Sequence, residues 1–347
     1  MKTIIKDVFN KWLKEQKEDF SGVFSASGTD GLLYEHIDGY RNKAEKLPNT
    51  YETVFGIASG TKLFTGLSAC KLIDDGKLSL DTKLCDILPY DLGQINKDIT
   101  VFQLLTHTSG VGDYIDEESE DCEEQLQQLY DTYPVQLWTN LEYYLQMITP
   151  LPPKFMPGER YGYSNSGYIL LGLVIEAASG IKFQQFVKEN IFIPCNLSRT
   201  GFFRSDSLPE NAALGYIKDD STDNWSSNIF SLPVLGGSDG GLYTCATDMD
   251  KLWRAVFSHK ILSKDMTNAF LKSYITIDED DDEETYGLGV YHLKENDKLV
   301  HFAVGGDSGV GFCTAFYPKS NVVISCFSNT GWLSFYNLIG NMLEDLG

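Results

Sequence analysis

The stretch Phe55-Gly56-Ile57-Ala58-Ser59-Gly60-Thr61-Lys62-Leu63-Phe64-Thr65-Gly66-Leu67 sets a hydroxyl and an amine one helical turn apart. Leu63, Leu67 and Cys70 recur at helical spacing, and Leu72 and Ile73 widen the stripe. Gly76 stops the pattern, as a helix C-terminal cap does. The spacing predicts a helix over about Ser59 to Asp75. Positions i and i+3 share a helix face, so the Lys62 amine falls beside the Ser59 hydroxyl. A serine hydroxyl is a weak nucleophile until a base takes its proton. A solvated lysine, with a pKa of about 10.4, is a poor base near neutrality. Desolvation or a second cation would lower that value and free the amine. The helix start also offers N–H groups and a positive dipole end to developing negative charge. The same residues equally suit a plain helix start with a lysine on its exposed face.

A second stretch tips the balance: Phe155-Met156-Pro157-Gly158-Glu159-Arg160-Tyr161-Gly162-Tyr163-Ser164-Asn165-Ser166-Gly167-Tyr168. Pro157-Gly158 is a turn signal. Ser166 is placed to begin a helix with Ile169, Leu170, Leu173, Val174 and Ala177 on its apolar face, ended by Gly180. Tyr163 and Asn165 then lie two residues apart in a short extended piece and point to one side. A phenol relays protons, and an amide orients a carbonyl or a lysine. A capped helix after a turn is the plainer alternative.

Taken in order, these segments resemble the serine β-lactamase and penicillin-binding-protein superfamily. The branch is that of class C β-lactamases, D-alanyl-D-alanine carboxypeptidases, D-amino-acid peptidases and related esterases. Ser59-x-x-Lys62 matches its first motif and Tyr163-Ser164-Asn165 its second. Leu104-Leu105-Thr106-His107-Thr108-Ser109-Gly110 resembles its signature loop, and Gly240-Gly241-Leu242-Tyr243-Thr244-Cys245-Ala246-Thr247-Asp248 its later glycine loop and helix start. The resemblance spans roughly residues 20–345. It implies an α+β fold: an antiparallel sheet flanked by helices, with an inserted helical subdomain and a site in the cleft between the parts.

The third motif departs from the family pattern of Lys-Thr-Gly, His-x-Gly or Trp-Gly-Gly. The match here is Val304-Gly305-Gly306-Asp307. By resemblance, the backbone N–H groups of Ser59 and Asp307 form the oxyanion hole, and Val304, Gly305, Gly306 and Asp239 border the substrate. The glycines let a substrate backbone approach the strand. Val304 cannot hold a substrate carboxylate, and Asp307 would repel one. This motivates a preference for neutral or cationic acyl substrates. His301, an odd offset upstream, is read as a strand-surface histidine facing away from Val304.

Composition narrows the field. The chain has 347 residues and 42% hydrophobic content, enough for a large core or two subdomains. The expected division is a single β-lactamase-like domain, with an α/β part at about 1–66 and 205–347 and a helical part at about 67–204. No apolar run is long enough for a transmembrane helix. Residues 1–10 lack a secretory apolar core and read as an amphipathic helix, so the expected location is cytoplasmic. The net charge of −21 argues against nucleic acid and anionic membranes as partners. Two acidic runs, Asp278 to Glu284 and Asp116 to Glu124, read as solvated loops. Seven cysteines without a C-x-x-C pair suit buried thiols rather than disulfides or zinc, and five histidines show no ligand spacing. No metal and no cofactor are expected.

Elsewhere, Phe20–Ser27 and Gly31–Gly39 form a predicted hairpin. Strands are expected at Thr285–His292, Leu299–Val304, Gly311–Tyr317 and Val322–Ser328, with a last helix at about Ser334 to Leu346. Two rival serine motifs compete. Gly236-Gly237-Ser238-Asp239-Gly240 matches a nucleophile elbow but lacks the helix directly after it. Asp307-Ser308-Gly309 echoes chymotrypsin-like proteases, whose all-β fold this chain does not have. The resulting expectation is a serine hydrolase acting through an acyl-enzyme on Ser59, with Lys62, Tyr163 and Asn165, on a small-molecule or peptide amide, ester or β-lactam. Alternatives are a β-lactamase or D-alanyl-D-alanine carboxypeptidase proper, a non-catalytic ligand-binding relative, or a self-assembling scaffold.

Overall fold

The computed structural model describes the chain except at residues 18, 118, 120, 220, 223, 279 and 280. Its frame is an eight-stranded antiparallel sheet. The strands are β1 (Gly22–Gly28), β2 (Gly31–Asp38), β3 (Ile275–Asp278), β4 (Asp281–Tyr286), β5 (Tyr291–Glu295), β6 (Lys298–Asp307), β7 (Val310–Tyr317) and β8 (Val322–Ser328), in the order β2-β1-β8-β7-β6-β5-β4-β3. The longest helices are α1 (Lys2–Lys14), α2 (Thr61–Asp74), α3 (Cys122–Thr132), α4 (Asn165–Ser179), α5 (Ala246–Phe257) and α6 (Phe335–Leu346).

Both faces of the sheet are covered, which explains why β1, β7 and β8 are buried at every position instead of alternating. Ile5, Phe9 and Trp12 of α1 join Leu338, Ile339 and Met342 of α6 over one face, against Phe24, Phe302, Ala315 and Ile324. The opposite side chains of the same strands, among them Val23, Phe312, Phe316 and Phe327, meet α2, α4 and α5. The N-terminal segment is thus amphipathic, as its sequence predicts. Helix α2 is not: every residue from Thr61 to Cys70 is buried, because α2 runs through the middle of the core. All eight strands lie outside residues 67–204, and α3 and α4 lie within them.

Three expectations need correction. Thr285–His292 is not one strand: a turn separates β4 from β5, where Gly289 (φ +105°) lets the chain pass against Gly66. The described residues of the acidic run 278–284 are not a loop either. Asp278 closes β3, the strand at the sheet edge, and β4 begins at Asp281; residues 279 and 280 lie outside the described residues.

The third concerns His301. It faces away from Val304, as strand parity requires, but it is not on the surface. It is 5% exposed under Phe257 of α5, opposite His292 of β5. The two Nδ1 atoms are 2.7 Å apart, so one donates the single proton they share. Burial pulls His292 down to about 4, and burial with the neighbouring imidazole pulls His301 down to about 3. The unfolded chain takes up these protons near pH 6.5. Between that value and about 4 the unfolded state binds more protons, so stability is lost as pH falls through this window. His301→Leu should shallow the decline of the urea midpoint between pH 6.5 and 4, relative to the unsubstituted protein. Superimposable slopes would remove the pair from the account.

Candidate active site

The sequence builds the site at the junction of α2, α4 and β6. Ala58–Gly60 forms a 3-10 turn leading into α2, so the hydroxyl of Ser59 sits at the helix entrance. Ala58 adopts φ +44°, a left-handed conformation unusual for a residue with a side chain, next to the serine. Lys62 Nζ lies 3.0 Å from Ser59 Oγ, 2.7 Å from Asn165 Oδ1 and 2.8 Å from the Asp239 carbonyl oxygen. The Tyr163 hydroxyl donates to Ser59 Oγ at 2.8 Å. Asn165 is the first residue of α4 rather than part of an extended piece, because Ser164 caps the helix by accepting from the Gly167 N–H.

Electrostatics separate the lysine from the tyrosine. Lys62 is 3% exposed. Burial lowers its pKa despite the opposing charges of Asp239, Glu117, Asp113 and Asp307. As an ammonium, its three N–H groups match the three acceptors around it. As a neutral amine it keeps two of them and turns a lone pair toward Ser59. Tyr163 is pushed the other way. Burial, with Glu117 nearby, raises its pKa well above the ordinary phenol value, so it stays protonated. The geometry therefore offers one base and one acid on the two sides of one hydroxyl.

Ser59 stands between two cavities. The first, of about 300 Å³, is walled by Tyr114, Tyr130, Trp138 and Tyr144 and edged by Glu117, Asp239 and Asp307. The second, of about 520 Å³, is lined by Lys62, Tyr163, Tyr286, Tyr291, Val304 and Trp332. Gly305 and Gly306 of β6 line the second, and Gly306 also reaches the first. Val304 is 8% exposed and sits in the apolar layer beneath α1 and α6. Asp239 contributes its carbonyl to Lys62, while its carboxylate accepts from the Tyr114 hydroxyl. Ser238 of the rival elbow is fully buried, with no strand directly before it and its Oγ unpartnered among the described residues.

Several site residues escape sequence reasoning. Glu117 belongs to a run read as a solvated loop, yet its Oε1 accepts from Asn165 Nδ2 at 2.8 Å. The same run continues into α3, and residues 118 and 120 lie outside the described residues. Asp113 accepts the backbone N–H groups of Asn165 and Ser166 at 2.7 and 2.9 Å, holding the start of α4. His107, noted only as part of a motif, accepts from the Ser164 N–H at Nδ1 and from the Gly162 N–H at its carbonyl. Its ring lies 4.6 Å from that of Tyr163. It thereby grips the residues on both sides of Tyr163. Its backbone takes a positive φ (+56°), which no spacing rule reveals.

Comparison with known proteins places this geometry in context. The Beta-lactamase family model matches residues 9–335. Penicillin-binding protein 4* of Bacillus subtilis is 28% identical over 260 residues, covering 72% of this chain and 55% of that protein. The putative penicillin-binding protein PbpX of the same organism is 29% identical over 311 residues, covering 89% of this chain and 71% of the relative. The chain thus spans little more than half the length of the first of these. The crystal structure of a penicillin binding protein from Bacillus halodurans superposes with a TM-score of 0.87 at 37% identity, covering 97% of this chain and 98% of that one. Both the sequence match and the fold run through nearly the whole molecule, and the chain belongs to the β-lactamase family, within the superfamily of serine β-lactamases and penicillin-binding proteins.

Proposed function

We propose that the protein is a serine hydrolase that cleaves an amide or ester through an acyl-enzyme on Ser59. The observation that carries this reading is the Ser59 hydroxyl, held at 3.0 Å by a buried lysine and at 2.8 Å by a protonated tyrosine. Neutral Lys62 takes the proton from Ser59 as Oγ bonds to the substrate carbonyl carbon. The carbonyl oxygen becomes an oxyanion, which backbone N–H groups at Ser59 and Asp307 receive. The C–N or C–O bond then breaks. The departing amine or alcohol takes a proton from Tyr163, which Lys62 replenishes. Water attacks the ester with the same base and returns the acid and free Ser59. Asn165 holds Lys62 in place.

Intact-mass measurement after incubation with a fluorophosphonate, and separately with a penicillin, tests the reading. One adduct per chain is expected with the fluorophosphonate and none in Ser59→Ala. Folded protein that takes up neither reagent would favour a ligand-binding relative instead.

A further inference from the structure

We propose that His107 is the positioning residue of the acid: its ring and its carbonyl fix the backbone on both sides of Tyr163, so that the phenol reaches leaving groups that cannot depart as stable anions. This rests on the acyl-enzyme reading above and concerns one step of it, the departure of the amine or alcohol.

Tyr163 depends on support from outside its own segment. Residues 161–164 belong to no helix or strand. The phenol stands at the end of a long side chain, so a small rotation of the backbone beneath it carries the hydroxyl away from Ser59. The support comes from residues 107–110. The Lys154 N–H donates to the Gly110 carbonyl at 2.8 Å, the Gly158 N–H to the Thr108 carbonyl at 2.7 Å and the Gly162 N–H to the His107 carbonyl at 2.9 Å. The Ser164 N–H then donates to the His107 ring instead of a carbonyl, at 3.1 Å to Nδ1. One residue therefore accepts from both neighbours of Tyr163. Its left-handed backbone, at φ +56°, is the kind of outlier that a fold keeps where a side chain must be aimed.

The ring is itself held. Its centroid lies 4.6 Å from that of Tyr163, 4.8 Å from those of Tyr168 and Tyr286 and 5.8 Å from that of Tyr161. The Tyr168 hydroxyl donates to the Leu105 carbonyl at 3.0 Å, which ties the same loop to α4 at a second point. Only a neutral imidazole with its proton on Nε2 accepts at Nδ1. The surroundings keep that form: His107 is 1% exposed, and burial with the nearby Lys62 charge holds its pKa well below the ordinary value. Its Nε2 is buried and has no hydrogen-bond partner among the described residues. His107 lines neither cavity, so it acts through Tyr163 and not on the substrate.

The chemistry supplies a readout that a packing defect would not give. When the tetrahedral intermediate collapses, the C–O or C–N bond breaks and the departing atom takes the phenol proton. A p-nitrophenolate leaves as a stable anion without that proton, whereas an ethoxide needs it. A displaced Tyr163 therefore slows the ethyl ester and largely spares the p-nitrophenyl ester of the same acid.

The test is kcat/KM for ethyl and p-nitrophenyl phenylacetate, measured on the full-length protein and its variants. His107→Leu is expected to lose roughly 10²-fold on the ethyl ester and less than about tenfold on the p-nitrophenyl ester. His107→Asn offers Oδ1 to the Ser164 N–H and tolerates a positive φ, so it should stay within about fivefold of the unsubstituted protein on both esters. Tyr163→Phe should show the same bias against the ethyl ester, and adding His107→Leu to it should change the ratio of the two esters by no more than about twofold. His107→Gly keeps the backbone conformation and removes only the ring; it carries the expectations of His107→Leu should that variant fail to fold. Equal losses on the two esters, no rescue by asparagine, or a further change of ratio in the double variant overturns the proposal while Tyr163→Phe keeps its bias. Loss of the acyl-enzyme reading looks different: Ser59→Ala would retain p-nitrophenyl turnover, Tyr163→Phe would show no bias, or the unsubstituted protein would turn over neither ester, and each of these overturns both.

Discussion

Lys62→Met is expected to slow fluorophosphonate labelling and turnover by roughly 10²- to 10⁴-fold, the usual worth of a positioned base. Methionine matches the lysine stem in length and shape, so the substitution removes the amine with little change in packing. Lys62 is 3% exposed in a helix whose neighbouring residues are all buried, and among the described residues only Lys62 and Tyr163 hold the Ser59 hydroxyl by hydrogen bonds. Tyr163 cannot replace the lysine as a base, because its raised pKa keeps the proton on the phenol. His107 is buried and neutral, with Nδ1 already accepting from the Ser164 N–H.

The pH dependence separates this from a packing defect. A lysine base must be neutral, so the labelling rate should rise with pH through an ionisation below the ordinary lysine value. Burial sets the direction of that displacement. Lys62→Met should lose the limb altogether. The variant also strands Asn165 Oδ1 and the Asp239 carbonyl, each of which then lacks its 2.7 or 2.8 Å partner. A fall in stability of about 1–3 kcal/mol is therefore expected alongside the kinetic loss. Labelling above about a tenth of the original rate with the limb intact would mean that Lys62 is not the base.

What the sequence discloses about this site depends on how local each contact is. Ser59 and Lys62 meet because of helix geometry, and three residues of spacing suffice to place them together. Tyr163 and Asn165 are marked by the turn before them and the cap between them. Glu117, Asp113 and Tyr114 act on partners 48 to 125 residues away, across a fold that no periodicity encodes. Glu117 was misread for a physical reason: acidic runs are usually solvated, and only the tertiary fold brings this one against an asparagine. The same holds for His301. Strand parity gave its direction correctly, but the helix covering that face is invisible in the strand's own residues. The uniformly buried strands β1, β7 and β8 show the reverse, since a sheet covered on both faces carries no alternation to read.

Gly305→Ala is expected to be among the most damaging single-methyl additions in the molecule. A Cβ at this position would lie 2.1 Å from the Ile57 carbonyl oxygen, 2.7 Å from Gly60 N and 2.9 Å from Ser59 N. All three are backbone atoms of the turn that carries Ser59, so no flexible side chain can swing aside. Either β6 or the turn must move. Overpacking of this kind costs about 1–3 kcal/mol and sometimes more. A displacement of the turn on the order of 1 Å would also slow the reaction by roughly 10²-fold. Gly340→Ala provides the contrast. It lies within α6, where a Cβ meets no described heavy atom within 4 Å, and alanine there should stabilise by about 1 kcal/mol. Thermal unfolding and labelling rate, measured together on both variants, test the argument. Gly305→Ala protein with unchanged melting temperature and labelling rate would mean that β6 does not press on the Ser59 turn, and that the glycines of the third motif serve some other purpose.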